Sequence, residues 1–222
     1  KLGKKILISG GGRCNFTNLA ISPEKYISKN KHFCKSALSQ FTQFDFIDMV
    51  KKHNIAYHEK TLGQLFCDES ATLVIDMLIT EAKNAGVEFS LSTEVYDISK
   101  TDTGFNIESS KARFISETLV MSSGGLSIPK IGATNFGYKV AKQFNLEIED
   151  TEPALVPFTF SEKDKEVFAE LSGIAFDSEV SIGKVSFKES TLFTHRGLSG
   201  PAILQISSYW NAGDDLRIKV LP

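Results

Sequence analysis

The spacing of apolar residues changes from helical to alternating at Gly86, and this change limits the folds open to the chain. Residues 71–85 carry apolar side chains at helical spacing, and they follow Ser70, a residue type that favours helix N-caps. After Gly86 the spacing becomes two, which predicts extended strands. We expect these strands over residues 87–91, 94–98, 104–108, 112–115 and 118–121. The middle three are predicted to form an antiparallel meander, because a turn sequence over residues 101–104 joins the first two of them.

Further elements are predicted on both sides of this region. Helices are expected over residues 32–41, 43–53, 135–144 and 200–209, the last capped by Ser199, and strands over residues 155–160, 174–182 and 184–187. The phenylalanines of the first two helices are expected in the core: Phe33, Phe41, Phe44 and Phe46. The pattern predicts a mixed α/β fold with two domains, residues 1–152 and a β-rich domain over residues 153–222. A length of 222 residues with 41% hydrophobic content is sufficient for such cores.

Two glycine segments are candidates for binding a nucleotide. Residues 10–12 are three glycines between an apolar run, residues 6–8, which we predict as a strand, and Arg13. Successive glycine amides can bind one phosphate, and an arginine adds a charged hydrogen bond. The alternative is a tight loop that uses glycine only for its positive φ. The second segment, residues 123–125, follows the predicted strand 118–121, and two such turns together favour a nucleotide-type ligand.

The first glycine segment does not fit the dinucleotide fingerprint G-x-G-x-x-G by itself. Asn15 stands in place of the third glycine, and the residues that follow it lack a helical apolar stripe. The fingerprint also needs an acidic residue about 20 positions further on, where this chain is basic. The segment is therefore not a Rossmann fingerprint of its own.

Four blocks of the sequence resemble the BaiN/YhiN-type flavoproteins, a family of FAD-dependent oxidoreductases for which NAD(P)H is the suggested electron donor. The blocks are residues 1–18 (KLGKKILISGGGRCNFTN), 58–66 (HEKTLGQLF), 124–134 (GGLSIPKIGAT) and 193–202 (FTHRGLSGPA). The resemblance implies a partial Rossmann-like FAD-binding domain followed by the start of an inserted, substrate-side domain. It also implies that the family's first fingerprint and its C-terminal segment lie outside these 222 residues. By itself the chain is then expected to be inactive and to bind FAD weakly.

The same resemblance implies which residues face the cofactor. The cofactor-binding residues are expected to be Gly10, Gly11, Gly12, Arg13, Cys14, Asn15, Val95, Ser123, Gly124 and Gly125. Val95 would read the adenine edge through its main chain, and Ser123 replaces the threonine that is usual in the family. The implied activity is hydride transfer between NAD(P)H, FAD and a small organic substrate, with catalytic residues that the sequence does not identify. The alternative is a binding or scaffold module without redox chemistry.

Composition argues against several other classes of protein. The net charge is −2 with lysine and arginine spread along the chain, which argues against a nucleic-acid partner. No apolar stretch approaches the roughly 18 residues of a membrane span, so a cytoplasmic protein without a membrane partner is expected. Three cysteines without CxxC spacing favour reduced thiols over a disulfide framework or a zinc site.

Three polar positions are ambiguous. His58 and Glu59 could act as an acid and a base, but adjacent strand residues point to opposite faces. Cys14 could be a reactive thiol near the flavin, although no partner cysteine lies near it in sequence. Arg196, beside His195, could bind a substrate carboxylate at a helix start, and an ordering role in the loop is the simpler interpretation.

Overall fold

The computed structural model describes residues 2–221, which form two compact units, residues 1–148 and 149–222. The units differ in composition. The first contains most of the helices and two three-stranded sheets, whereas the second is built on one five-stranded sheet. Within the described residues all strand pairs are antiparallel. The structure is therefore mixed α/β, as the sequence predicts.

The first unit begins with a short helix and ends with an amphipathic one. Its helices are α1 (Lys4–Ile8), α2 (Lys35–Gln40), α3 (Gln43–Lys52), α4 (Ala71–Asn84) and α5 (Phe136–Gln143). Its strands are β1 (Asn15–Asn18), β2 (Tyr57–Glu59), β3 (Gln64–Cys67), β4 (Val95–Thr101), β5 (Gly104–Ser109) and β6 (Arg113–Ser116). Short 3₁₀ turns cover Ser9–Gly12, Pro23–Lys25 and Pro129–Ile131.

The core of the first unit lies between α3, α4 and the sheet of order β1-β3-β2. Local signals in the sequence place both helices. Thr42 caps α3 through a capping box with Asp45, and the Ser70 hydroxyl accepts a hydrogen bond from the Thr72 amide at the start of α4. The buried cluster between them consists of Cys14, Val50, Ile55, Cys67, Ala71, Val74 and Met77. This cluster connects the two helices to the strands that flank the first glycine segment.

The predicted meander is confirmed as the sheet β4-β5-β6. Its first two strands pair from Val95 opposite Ser109 to Thr101 opposite Gly104 at the turn, with a register shift between Val95 and Asp97. Helix α5 joins the meander, because the Gln143 side-chain amide donates to the Ile98 carbonyl at 2.5 Å. Phe105 of β5 also makes an edge-on contact with Phe144, with ring centroids 5.9 Å apart.

The second unit is a twisted antiparallel sheet with one helix packed on it. Its helices are α6 (Glu162–Phe168) and α7 (Pro201–Ser207), and a 3₁₀ turn covers Ala169–Leu171. Its strands are β7 (Phe158–Thr159), β8 (Ala175–Ile182), β9 (Val185–Thr194), β10 (Gly197–Ser199) and β11 (Arg217–Val220). The sheet order is β11-β8-β9-β10-β7. Three residues of α7, Ala202, Ile203 and Ile206, are fully buried in its core.

Three predicted strands are wrong. Residues 6–8 belong to helix α1, and residues 87–91 and 118–121 form neither strand nor helix. A strand needs a neighbour to satisfy its amides and carbonyls, and the described residues provide none at these positions. The first run instead closes a local helical bond, Leu7 N–H to the Gly3 carbonyl at 3.0 Å, and packs on α4.

Other details of the prediction also need correction. Phe33, Phe41 and Phe44 are exposed rather than buried, Phe33 by 79%, and only Phe46 packs on the core. Gly200, rather than Ser199, is the N-cap of α7, because Ser199 ends strand β10. Strands β1 and β10 and helix α6 have no counterpart among the predicted elements. Within residues 2–221, every helix is too short or too polar to cross a membrane.

Candidate functional site

The first glycine segment is a tight turn with an unusual backbone. It leaves helix α1, passes through the 3₁₀ turn Ser9–Gly12 and enters strand β1. The φ angles are +56° at Gly10, +66° at Gly11, +87° at Gly12 and +53° at Cys14. Side chains with a Cβ rarely adopt this left-handed region, so the three glycines are required by the path of the chain.

The two sides of this turn differ in how closely they are packed. A Cβ at Gly10 would lie 2.7 Å from Cε1 of Phe66 and 2.7 Å from the Asn15 nitrogen. A Cβ at Gly11 would meet no atom within 4 Å, and one at Gly12 would meet only the Leu7 carbonyl, at 3.9 Å. The turn is therefore closed on the side of β3 and open at Gly11 and Gly12. We call these three glycines with Arg13 the glycine cradle.

The second glycine segment packs against the start of α5. A Cβ at Gly137 would lie 2.9 Å from the Ser123 hydroxyl oxygen, and one at Gly125 would lie 3.7 Å from the hydroxyl oxygen of Tyr138. Small residues at these positions allow the segment and the helix to approach closely. Gly124 has a φ of +77°, so it also uses the conformational freedom of glycine.

Lys5 brings the two glycine segments together. This residue lies in α1, directly before the glycine cradle, and its ammonium group donates to the Ser127 hydroxyl at 3.0 Å. The same ammonium nitrogen lies 3.9 Å from the position of a Cβ at Gly124. Lys5 is exposed, so it presents a positive charge between two turns, residues 10–12 and 123–125, that are distant in sequence. Lys5 is not among the predicted site residues, because only the helical path of residues 4–8 points it toward the second segment.

The other predicted cofactor-binding residues differ in their exposure and in their contacts. Arg13 is exposed beside the cradle, and its carbonyl accepts a hydrogen bond from the Cys67 amide at 3.0 Å. Cys14 is only 6% exposed, and its side chain belongs to the core cluster, so only its backbone can face a ligand. Asn15 pairs with Phe66 in the sheet. Val95 pairs with Ser109 at the first position of the meander.

Cys14 does have a cysteine near it in space, contrary to the expectation from sequence distance. Cys67 lies in the same buried cluster at the end of β3. Burial raises the pKa of the Cys67 thiol to about 11, and the neighbouring Cys14 and Asp68 add to the increase. A protonated Cys67 thiol is a poor nucleophile, and both cysteines are buried, so the pair is part of the core rather than a reactive centre.

His58 has a different partner from the one considered in the sequence. Its ring nitrogen Nδ1 lies 2.6 Å from Oδ1 of Asp68, whereas the carboxylate of the adjacent Glu59 accepts from the Gly63 amide at 3.1 Å. His58 and Glu59 thus have different partners, as expected for adjacent strand residues that point to opposite faces. Asp68 was missed because it lies across the hairpin, ten residues further along the chain.

The second unit holds the remaining candidates. Arg196 lies in the turn between β9 and β10, where its amide donates to the Thr194 hydroxyl at 3.3 Å and its carbonyl accepts from Phe160. It is therefore not at the start of α7, and the ordering role fits its contacts. An open cavity of about 450 Å³ lies between residues 152–159 and 207–212, and Phe158 and Trp210 line it.

The profile of the family described as HI0933-like protein Rossmann domain matches residues 1–199. The chain belongs to this HI0933-like family. It is 54% identical over 224 residues to the "Ribosomal RNA dihydrouridine synthase" of Escherichia coli K12, covering 100% of this chain and 56% of that protein. A Haemophilus influenzae protein of the same name is 45% identical over 228 residues, again with 100% and 56% coverage.

A more distant relative has a different name. The "3-dehydro-bile acid delta(4,6)-reductase" of Clostridium scindens is 27% identical over 230 residues, which cover 99% of this chain and 55% of that protein. The chain thus spans little more than half the length of the curated relatives it matches. The HI0933-like match agrees with the Rossmann-type family to which the sequence motifs pointed.

The three cysteines should differ in reactivity. We expect Cys34, which is partly exposed, to react with a thiol reagent at pH 8, while Cys14 and Cys67 stay unmodified. Because the Cys67 pKa is raised to about 11, its reactive thiolate appears only as the pH approaches that value. Absorbance titration with a chromogenic disulfide should count one thiol in the native protein and three after denaturation. Fast modification that survives in a Cys34→Ser variant would contradict this assignment.

Proposed function

We propose that this HI0933-like chain carries part of the FAD site of a reductase that saturates a carbon–carbon double bond of uridine in ribosomal RNA. Dihydrouridine differs from uridine by two hydrogen atoms, so the name shared by the relatives at 54% and 45% identity describes a reduction. The name of the bile-acid relative also describes a reduction. We infer that these proteins share one chemistry, the addition of a hydride and a proton to an activated double bond.

The observation that carries the cofactor proposal is the meeting of the two glycine segments at Lys5. The glycine cradle leaves open space at Gly11 and Gly12, where a ligand can approach the backbone closely. Arg13 directly follows Gly12, and Lys5 lies beside Gly124 of the second segment, so both glycine segments have an exposed positive charge next to them, which suits a pyrophosphate. When bound, the flavin supplies the hydride, and NAD(P)H is the proposed source of its electrons. We assign the first unit to the FAD domain and the second to the substrate side.

The sequence predicts a small-molecule substrate and no nucleic-acid partner. A ribosomal RNA substrate differs from both expectations. Net charge measures only the average over the surface, and an enzyme can contact RNA through a few local groups. The first two relatives support RNA because they match the whole chain at higher identity than the bile-acid reductase. The bile-acid relative supports a second candidate, a reductase of a small unsaturated molecule. Either reaction is consistent with a cytoplasmic enzyme.

The purified flavoprotein would distinguish these candidates. We expect flavin absorbance bands, and with NAD(P)H we expect a uridine of unmodified ribosomal RNA to gain the mass of two hydrogen atoms. Mass spectrometry of nuclease fragments detects this gain, and parallel incubation with an unsaturated steroid tests the second candidate. A protein that lacks flavin bands after reconstitution with FAD would contradict both reductase proposals and favour the binding module.

Gly11 provides a test of the cradle. Gly11→Val places a branched side chain in the open side of the turn and strains a residue with a φ of +66°, so flavin occupancy should fall at least tenfold. Gly86→Val is the matched control, because Gly86 has a φ of +76° and similarly open surroundings at the end of α4. The measurement is flavin absorbance per protein together with thermal unfolding. Equal flavin occupancy in the two variants would show that the glycine cradle is not part of the cofactor site.

Lys5 provides an independent test, because its proposed partner is a phosphate. Lys5→Met keeps the aliphatic stem and removes one charged hydrogen bond, which corresponds to a loss of about ten- to a hundredfold in FAD affinity. Riboflavin has no phosphate, so its affinity should stay within twofold. The control is Lys4→Met, because neighbouring helix residues point about 100° apart. An equal loss for FAD and riboflavin would show that Lys5 supports the fold and not the pyrophosphate.

A further inference from the structure

The hairpin of β2 and β3 presents a histidine that is held by a carboxylate. His58 Nδ1 and Asp68 Oδ1 are 2.6 Å apart, and the two side chains are 45% and 44% exposed. Within the described residues, no hydrogen bond occupies the other ring nitrogen, Nε2. A carboxylate on one nitrogen fixes the direction of the ring, so the second nitrogen faces outward in a defined orientation. This arrangement is common to histidines that transfer protons.

One aromatic ring connects this pair to the glycine cradle. Phe66 lies opposite His58 in the sheet, and the two rings stack with centroids 6.4 Å apart and an angle of 19° between their planes. The same Phe66 ring is the group that a Cβ at Gly10 would meet at 2.7 Å. The Phe66 ring therefore lies between His58 and Gly10 of the cradle. Only the Phe66 ring thus separates His58 from the glycine backbone that we assign to the cofactor site.

The other proton carriers of the first unit are less suited. Cys14 and Cys67 are buried in the core, and the pKa of Cys67 is raised to about 11. His53 also binds a carboxylate, but its Nε2 lies 2.6 Å from Oε1 of Glu81, between helices α3 and α4. Tyr138 contacts the second glycine segment, and it is the strongest competitor because its hydroxyl group lies near Gly125.

We propose that His58, oriented by Asp68, is the proton donor of the reduction. This inference rests on the proposed function. A bound flavin would supply the hydride, which would add with its electron pair to C6 of uracil. The electron pair of the C5–C6 double bond then takes the proton from His58 Nε2–H at C5, next to the C4 carbonyl. The N–H bond breaks, a C–H bond forms, and neutral His58 regains its proton from water.

The charges on this face of the hairpin define the pH dependence. Asp68 lies beside His58, and the Lys60 ammonium group lies 5.4 Å from the centroid of Phe66. Glu59 is adjacent in sequence and is bound to the Gly63 amide. Because the imidazole must carry the proton that it donates, the reaction rate should be lower in alkaline solution.

The test separates binding from proton transfer in the flavin-loaded enzyme. The flavin is reduced anaerobically with dithionite and mixed with unmodified ribosomal RNA, and the return of its absorbance gives the rate of substrate reduction. His58→Asn keeps a hydrogen-bond donor toward Asp68 but has no group at Nε2. We expect a rate at least about 100-fold lower, with no alkaline decline, while flavin content and the Kd for RNA stay within threefold of wild type.

Three further variants complete the test. Asp68→Asn should lower the rate less than His58→Asn does, because the ring keeps a neutral hydrogen bond. His53→Gln, at the other carboxylate-bound histidine, should retain both the wild-type rate and the wild-type pH profile. A His58→Asn rate within threefold of wild type would overturn the role of His58. So would a loss matched by an equal loss of flavin, or a Tyr138→Phe variant that alone removes the pH dependence.

The same experiment distinguishes failure of this inference from failure of the proposed function. If ribosomal RNA does not reoxidise the reduced wild-type enzyme, the proposed function is wrong and the His58 inference is overturned with it. If RNA reoxidises wild type and His58→Asn equally fast, only the inference about His58 is overturned.

Discussion

The contact between Gly10 and the ring of Phe66 is the constraint on which the candidate site depends. A Cβ at position 10 would lie 2.7 Å from the ring and 2.7 Å from the Asn15 backbone nitrogen, so any side chain there would force a shift. Residues 10–12 also have left-handed φ angles, which favour glycine. A Cβ at Gly11 would meet no atom within 4 Å, so the turn is closed at Gly10 and open at Gly11.

The same contact joins the hairpin of β2 and β3 to the cradle. Leu65 and Cys67 of β3 face the core, whereas Phe66 between them faces outward, because side chains alternate along a strand. His58 pairs with Phe66 and shares its face. Alternate residues of one short hairpin thus contribute to the hydrophobic core and to the face that carries His58 and Phe66.

Local sequence patterns were sufficient to predict elements whose contacts lie close together along the chain. Helix α4, with Ser70 at its start and Gly86 after its end, and the meander of β4, β5 and β6 lie close to their predicted bounds. Patterns failed where pairing is not local. Val120 belongs to an apolar run that reads as a strand, yet it is 81% exposed and unpaired within the described residues. Phe33 failed for a related reason, since helical spacing does not say whether a partner surface exists.

The sequence by itself determined the two glycine segments, Arg13 beside the first of them and a Rossmann-type family, because these depend on residue type and order along the chain. Only the tertiary structure decided which of these residues meet. Lys5 reaches Ser127 because residues 4–8 form a helix, and Asp68 reaches His58 because the hairpin brings the ends of β2 and β3 together. Cys14 is close to Cys67 for the same kind of reason, since strand pairing and packing join positions that are 53 residues apart. Such contacts depend on the register of strands and the direction of helices, which residue spacing does not specify.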